Sequence, residues 1–486
     1  MSKKSPRPKT KVKTRKARAA KPPVDHKVFD PKNFRKKFAG VLGMGKSGQA
    51  AARLLAKNGF RVLGSDSRPR AQLVQALKGL PAKVKWEWNG HSERLLQCAF
   101  VVKSPGIKPD LPIFKNLTEK NIPVFSELEV ALAFSKAKGI VAVTGTNGKS
   151  TTTALTFEIF KAGLPKGRKA ILGGNIGTPI SSTAPSAKAS DVLVIECSSY
   201  QLEDSRHFEP RAAAVLNITA DHLDHHGSME AYLSAKAKVF REQGPGDACV
   251  FNADDPITYK MSRDCPAERL YFGAKGPHIH AWEEGGKLVF ELPRWKKPVK
   301  LAPPKLPGRH NLENAMAAGL LGFARGIKPA AVQKAFKSFK GVEHRLEECG
   351  AVRGVRCVND SKATNVDSTL VALKAFPPDQ KSILLVLGGL HKGFPYAPLK
   401  PWIEKTVKGI LTIGSAARRI EEDLAGLVPV FPCGDLATAV DTALRVASKG
   451  EVLLMSPACA SFDQFKDFED RGRQFKELVK AAAKQR

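Results

Sequence analysis

The chain has 486 residues, of which 42% are hydrophobic and 26% charged, a composition that excludes a fibrous or wholly disordered protein and leaves room for about three domains of roughly 150 residues each. Its formal net charge is +33, but ten basic residues fall between Lys3 and Lys21 with no acid among them, which leaves +23 on the remainder. No run of 18 apolar residues occurs, and the eight cysteines (98, 197, 249, 265, 349, 357, 433 and 459) form no Cys-x-x-Cys pair, so a membrane-spanning helix, a disulfide framework and a zinc site of that type are not expected.

Residues 1–37 read as a disordered basic arm, punctuated by Pro6, Pro8, Pro22 and Pro23. Its charge offers weak electrostatic contacts with nucleic acid or an anionic surface, and simple solvation of the tail is the other reading. The arm lacks the apolar core of a secretion signal, so a soluble cytoplasmic protein without membrane insertion is expected. The first folded region, 38–127, opens with the strand Phe38-Ala-Gly-Val-Leu42, the turn Gly43-Met-Gly45-Lys-Ser-Gly48, a helix with Ala50, Ala51, Leu54 and Leu55 on one face, and a second strand from Phe60 that ends at Asp66. This is a nucleotide-binding βαβ fingerprint, but the same turn holds the phosphates of several nucleotides, so an NAD-dependent oxidoreductase is only one of its meanings. Lys46 and Arg68 suit a pyrophosphate, or are loop charges.

The second region, 128–341, carries the most informative phrase: the apolar run Ile140–Val143 followed by Gly145-Thr-Asn-Gly-Lys149-Ser-Thr151. Glycines let the backbone approach phosphate oxygens, a helix N-terminus points at them, Lys149 adds a compact charge, and the hydroxyl of Ser150 or Thr151 can ligate Mg²⁺. Val143 stands where the eight-residue form of this loop has its first glycine. The run Val192–Ile195 delivers Glu196 to a strand's C-terminal end as a candidate metal ligand. Strand 212–216 feeds Asn217-Ile-Thr-Ala-Asp-His222-Leu-Asp224, which gathers hydroxyl, imidazole and carboxylate in one loop. In the third region, 342–486, strands at 352–358, 382–387 and 452–455 lead into Asn359-Asp-Ser-Lys362-Ala-Thr364-Asn365, Gly388-Gly-Leu-His-Lys392-Gly393 and Ser456-Pro-Ala-Cys-Ala-Ser461-Phe-Asp-Gln-Phe465. Three such loops at one sheet edge form a crevice for a small anion.

In this order, these segments resemble the Mur ligase family, the ATP-dependent amide ligases that build the peptide of bacterial cell-wall precursors. The resemblance adds Gly173-Gly-Asn175-Ile-Gly177, Glu196-Cys-Ser-Ser-Tyr-Gln201-Leu-Glu203, Gly308-Arg-His-Asn311-Leu-Glu-Asn314-Ala315 and His344-Arg345 to the motifs above, and covers nearly everything after the arm. It implies an α/β fold of three consecutive domains: a Rossmann-like UDP-binding domain, a central P-loop ATPase domain and a C-terminal Rossmann-like domain. The last loops point to the member that adds D-glutamate to UDP-N-acetylmuramoyl-L-alanine, through an acyl phosphate made with ATP. The Asp-Asn-Pro-Arg signature of the diaminopimelate-adding relatives is absent.

By this resemblance, Gly145, Thr146, Asn147, Gly148, Lys149, Ser150, Thr151, Asn311, Asn314, Arg345 and Asp360 would contact ATP. Two Mg²⁺ ions are implied, one on Ser150 and Glu196, the other on His222 and Lys236, the latter carbamylated. Gly43, Lys46, Ser47, Ser67, Arg68 and Ser104 would hold UDP, with Asn175 and Gln201 on the muramoyl side. Lys362, Thr364, Lys392, Ser461 and Phe468 would receive D-glutamate. His391 and Lys46 depart from the family pattern, which has an acid and a small or apolar residue there. A monomer is expected. A folylpolyglutamate synthetase, a sister ligase with another amino acid, an NAD oxidoreductase and a basic nucleic-acid-dependent NTPase are the rival readings.

Overall fold

The computed structural model describes residues 28–34, 38–77, 79–391, 393 and 395–484; the arm up to residue 27 and Lys392 lie outside the described residues. Three sheets follow one another along the chain. The first has five parallel strands in the spatial order Val84–Glu87, Arg61–Ser65, Phe38–Leu42, Phe100–Lys103, Val124–Ser126, a half-Rossmann arrangement in which the glycine turn leaves the central strand. Residues 28–34 are not part of a free arm, as expected from the sequence, but pack on this sheet. Phe29 and Phe34 are buried, with ring centroids 4.9 Å and 4.8 Å from that of Phe100. Two large apolar side chains outweigh the local charge, because burying each is worth about 1.5–3 kcal/mol.

The second sheet has nine strands. Its parallel centre runs Ala212–Val215, Gly139–Thr144, Val192–Glu196, and every residue of Val192–Glu196 is buried, as a strand covered by helices on both faces requires. Its far edge is an antiparallel ribbon of Ala281–Glu284, Lys287–Phe290 and Val299–Leu301. The third sheet has six strands with Val452–Met455 and Ile383–Gly388 at its centre. Here the single strand expected over 352–358 is instead a hairpin: Glu347–Val352 pairs antiparallel with Val355–Asn359. The reversal falls at Arg353 and Gly354, both with positive φ, a conformation glycine adopts without steric cost.

The three layers meet pairwise. Lys103, almost wholly buried, joins the first domain to the second through Glu203 (3.2 Å) and Asp204 (2.9 Å). Lys362 of the third domain reaches Ser150 of the second at 2.7 Å. Lys46 in the glycine turn lies 3.7 Å from both Asp467 and Glu469 of the third. No helix among the described residues is long and apolar enough to cross a membrane.

The glycine turn is built by close approach. Gly43 takes φ 80°, its N–H donates to Ser65 O, and its carbonyl accepts from the Ser104 hydroxyl at 2.6 Å. A Cβ at Gly48 would lie 1.8 Å from that same carbonyl. Gly48→Ala is therefore expected to destabilise the first domain by about 1–3 kcal/mol, read as a lower thermal unfolding midpoint, whereas Gly45→Ala, whose Cβ meets nothing within 4 Å, should leave it nearly unchanged.

Candidate active site

The phosphate loop joins strand Gly139–Thr144 to helix Lys149–Gly163. Gly145 and Gly148 take φ 149° and 82°, and a Cβ at Gly148 would lie 2.3 Å from Asn314 Oδ1, so glycine is needed there for both space and conformation. Neighbouring elements hold the loop's shape. Asn147 N–H donates to Asn217 Oδ1 (2.8 Å), and Asn217 Nδ2 donates back to Asn147 O (3.2 Å). Thr146 Oγ1 lies 3.0 Å from the Tyr232 hydroxyl and accepts from Thr219 N–H. Lys149 folds over its own loop, donating to Gly145 O (3.0 Å) and Thr146 O (2.7 Å). Desolvation lowers its ammonium to about pKa 8, and Arg345 and Lys362 nearby add to this.

Beside the loop, Glu196 ends its strand 1% exposed. One carboxylate oxygen accepts from Asn175 Nδ2 at 2.7 Å; the other is buried without a hydrogen-bond partner. Burial alone would raise this carboxyl, but Lys362 and Lys149 hold it below its ordinary value. An ionised, unpartnered buried oxygen is costly unless a cation completes it, and the adjacent Ser150 hydroxyl supplies a second hard oxygen. This pair fits a magnesium ion. Lys236 is buried on the other side of the loop, donates to Gly145 O at 2.7 Å and lies over the Tyr232 ring. Burial, then Lys149, drives its pKa well below that of an ordinary lysine. His222, in the left-handed conformation at φ 57°, lies against Asp221 (3.4 Å) and the Tyr200 ring.

A crevice between the second and third domains opens next to the loop, lined by Asn147 and Thr151, by Leu306, His310 and Asn311, and by Arg345, Leu346 and Asp360. Arg345 presents an Nε with no hydrogen-bond partner. Asp360 accepts from Ser456 Oγ (2.7 Å) and Leu346 N–H (3.2 Å), and burial pushes its carboxyl up to about 6. Asn311, Arg345 and Asp360, expected at one site from the sequence, line this crevice together with His310, which the sequence does not single out because a lone histidine in a helix gives no signal. Asn314 sits beneath the loop, accepting from Thr152 Oγ1 at 3.1 Å.

Other expected residues have structural partners that sequence could not show. Asn175 faces Glu196. Gln201 Oε1 accepts from the Ser198 N–H in a capping box. Arg68 forks onto Asp66 at 2.9 and 2.8 Å instead of standing free. Ser104 supports Gly43, Ser47 is half-buried in the first turn of helix Lys46–Lys57, and Ser67 is exposed just after strand Arg61–Ser65. Lys362 does not join the third-domain loops alone: it spans to Ser150 and lies over the Phe468 ring. Ser461 is buried in the last of these loops and Thr364 half-buried in the first.

Three family models cover the chain: MurD-like N-terminal domain (residues 37–126), Mur ligase middle domain (143–322), and Mur ligase, glutamate ligase domain (344–459). A protein of Elusimicrobium minutum named UDP-N-acetylmuramoylalanine--D-glutamate ligase is 46% identical over 462 residues, covering 93% of this chain and 100% of that protein. The chain belongs to the Mur ligase family. A second relative of the same name, from Anaeromyxobacter dehalogenans, is 44% identical over 91% of this chain and 97% of its own. Among solved structures, UDP-N-acetylmuramate-alanine ligase of Thermotoga maritima matches with a TM-score of 0.58 at 22% identity, over 92% of this chain and 99% of that one, a likeness of fold. As a Mur ligase, the chain is an ATP-dependent enzyme that forms an amide bond between an acid and an amino acid.

Asp360 offers a test of the site's electrostatics. Its folded pKa of about 6 lies above the 3.8 of a free carboxyl, so the native state binds the extra proton, and stability is lost as pH rises from about 4 to 6. Asp360→Asn is expected to gain about 2 kcal/mol relative to the parent on going from pH 4.5 to 7.5, measured as the pH dependence of the difference in their unfolding free energies. A constant difference would refute the raised pKa.

Proposed function

We propose that the chain joins the amine of D-glutamate to the carboxylate of UDP-N-acetylmuramoyl-L-alanine, with cleavage of ATP to ADP and phosphate, in cytoplasmic peptidoglycan precursor synthesis. The observation that carries this reading is the junction at the phosphate loop, where Lys362 of the third domain meets Ser150 beside Glu196. A cation from the third domain beside the phosphate loop supports the handing-on of a phosphoryl group from the loop to a substrate held by that domain. The names of relatives more than 40% identical over nearly the whole chain support the choice of substrates.

The alanyl carboxylate attacks the γ-phosphorus and ADP leaves; the amine of D-glutamate then attacks the acyl carbon, loses a proton, and expels phosphate. Both steps need positioning and charge neutralisation more than covalent help. Lys149 turns from its loop carbonyls to the β- and γ-oxygens. Arg345 and Asp360, with Asn311 and Asn314, hold the rest of ATP in the crevice. Ser150 and Glu196 would hold one Mg²⁺ ion, and His222 with carbamylated Lys236 would hold a second; when bound, such ions would supply positive charge against the phosphate oxygens, which otherwise repel the incoming carboxylate. The low pKa of Lys236 favours the neutral amine, the form that adds CO₂. The glycine turn with Lys46, Ser47, Ser67, Arg68 and Ser104 takes the UDP, Asn175 and Gln201 face the muramoyl side, and Lys362, Thr364, Lys392, Ser461 and Phe468 receive D-glutamate. The functional units divide at 127/128 and 341/342.

Phosphate release with ATP, Mg²⁺ and UDP-N-acetylmuramoyl-L-alanine is expected to require D-glutamate and to be absent with L-glutamate, L-lysine or meso-diaminopimelate. Release with another acceptor would move the chain to a sister activity. Lys149→Ala is expected to lower turnover by at least about a thousandfold while calorimetry shows UDP-substrate binding retained; loss of that binding would undo the assignment of UDP to the first domain.

A further inference from the structure

Helix Phe468–Lys484 places Arg471 in its first turn, and its side chain is wholly buried, the largest such among the described residues. Its hydrogen bonds go to no carboxylate. Nε donates to Ser361 Oγ (3.0 Å), Nη2 to Ser361 O (2.9 Å) and Cys459 O (3.1 Å), and Nη1 to Gly388 O (3.5 Å). These acceptors belong to the three loops that leave the strands Val355–Asn359, Ile383–Gly388 and Val452–Met455. One guanidinium thus bonds at all three of these strand ends.

We propose that Arg471 is the positioning residue for the amino-acid substrate: it fixes the three loops relative to one another, and its charge, unpaired in hydrogen bonding, draws the dicarboxylate to them. This rests on the reading above, in which those loops receive the amino acid. The guanidinium faces the carboxyls of Asp463 and Asp360 without hydrogen-bonding to either; burying a cation in this way is costly, and a side chain needed only to fill space would not be charged. The planar fork sends donors in several fixed directions, which an ammonium on a single stem cannot reproduce. The loops show what is being held. Ala458 takes φ 59°, strained for a residue with a Cβ, and the next carbonyl is the one Arg471 grips. Because N–H and C=O point oppositely across a planar peptide, that grip also sets the direction of the Ala460 N–H, beside Ser461. Gly389 passes so close that a Cβ would lie 3.1 Å from Nη1 and 2.2 Å from Ala460 O. Ser361 Oγ in turn donates to Phe468 O at 2.8 Å, which ties the first loop to the helix that carries the arginine.

The test is steady-state kinetics of the full chain with each substrate varied in turn, together with thermal unfolding. Arg471→Lys keeps the charge and loses the fork; its KM for D-glutamate is expected to rise about tenfold or more, with the KM values for ATP and the UDP-substrate within about twofold of the parent. An unchanged KM for D-glutamate, or an equal rise for all three substrates, would overturn the proposal. If Arg471→Lys fails to fold, Ser361→Ala decides: a selective rise in the same KM supports the proposal, and no rise refutes it. A parent enzyme that turns over a different amino acid would defeat the choice of D-glutamate while leaving Arg471 to be judged on the KM for that amino acid.

Discussion

Glu196 is the point around which the rest of the site is organised. A carboxylate at the end of a fully buried strand, with one oxygen left without a hydrogen-bond partner, stays ionised only if cations gather about it, because desolvation of a lone charge costs several kcal/mol. The cations come from different places: Lys149 from the phosphate loop and Lys362 from another domain. Those two ammonium groups repel each other and Arg345, and burial already depresses the pKa of both. The central sheet therefore presents a concentrated negative point that the third domain must meet with positive charge, an arrangement matched to highly charged phosphates and a metal ion.

This electrostatic demand makes domain placement part of the chemistry. Lys362 can reach Ser150 only when the third sheet lies across the crevice, and the same placement brings Arg345 and Asp360 to its rim. The first domain is seated differently. Its link to the second runs through Lys103, whose buried ammonium is shared between Glu203 and Asp204, and through Glu129, which accepts from the N–H groups of Phe29 and Arg206. Its contact with the third, Lys46 to Asp467 and Glu469, is exposed and longer, and exposed pairs of this kind contribute about 0–1 kcal/mol. The first two domains are thus joined through buried charge, while the first and third touch through a screened and easily parted pair. That difference makes the contact between the first and third domains the easier one to part.

Local sequence determined the elements that bear chemistry. The glycine turn after Phe38–Leu42, the phosphate loop after Gly139–Thr144 and the carboxylate after Val192–Ile195 are each a strand that stops at a residue type with few alternatives, so periodicity and residue identity sufficed to find them. Where local propensity competed with longer-range packing, sequence reading failed. The hairpin at Arg353–Gly354 was read as one strand, and Phe29 and Phe34 were assigned to a charged arm although their rings close the first core.

Only the tertiary structure decided the partners. Nothing in the order of residues says that Asn175 holds Glu196, that Arg68 is taken up by Asp66, that Lys362 crosses to another domain, or that Arg471 binds three loops whose acceptors lie 12 to 110 residues away. Such contacts depend on how sheets stack and which loops converge, and the groups they use, carbonyls and long cationic side chains, have the same appearance in sequence whether solvated or buried. The sequence by itself determined which chemistry is available at each strand end; the packing of three domains decided which of those ends face one another, because a buried charge takes its pKa and its partner from whatever the fold brings within a few ångströms of it.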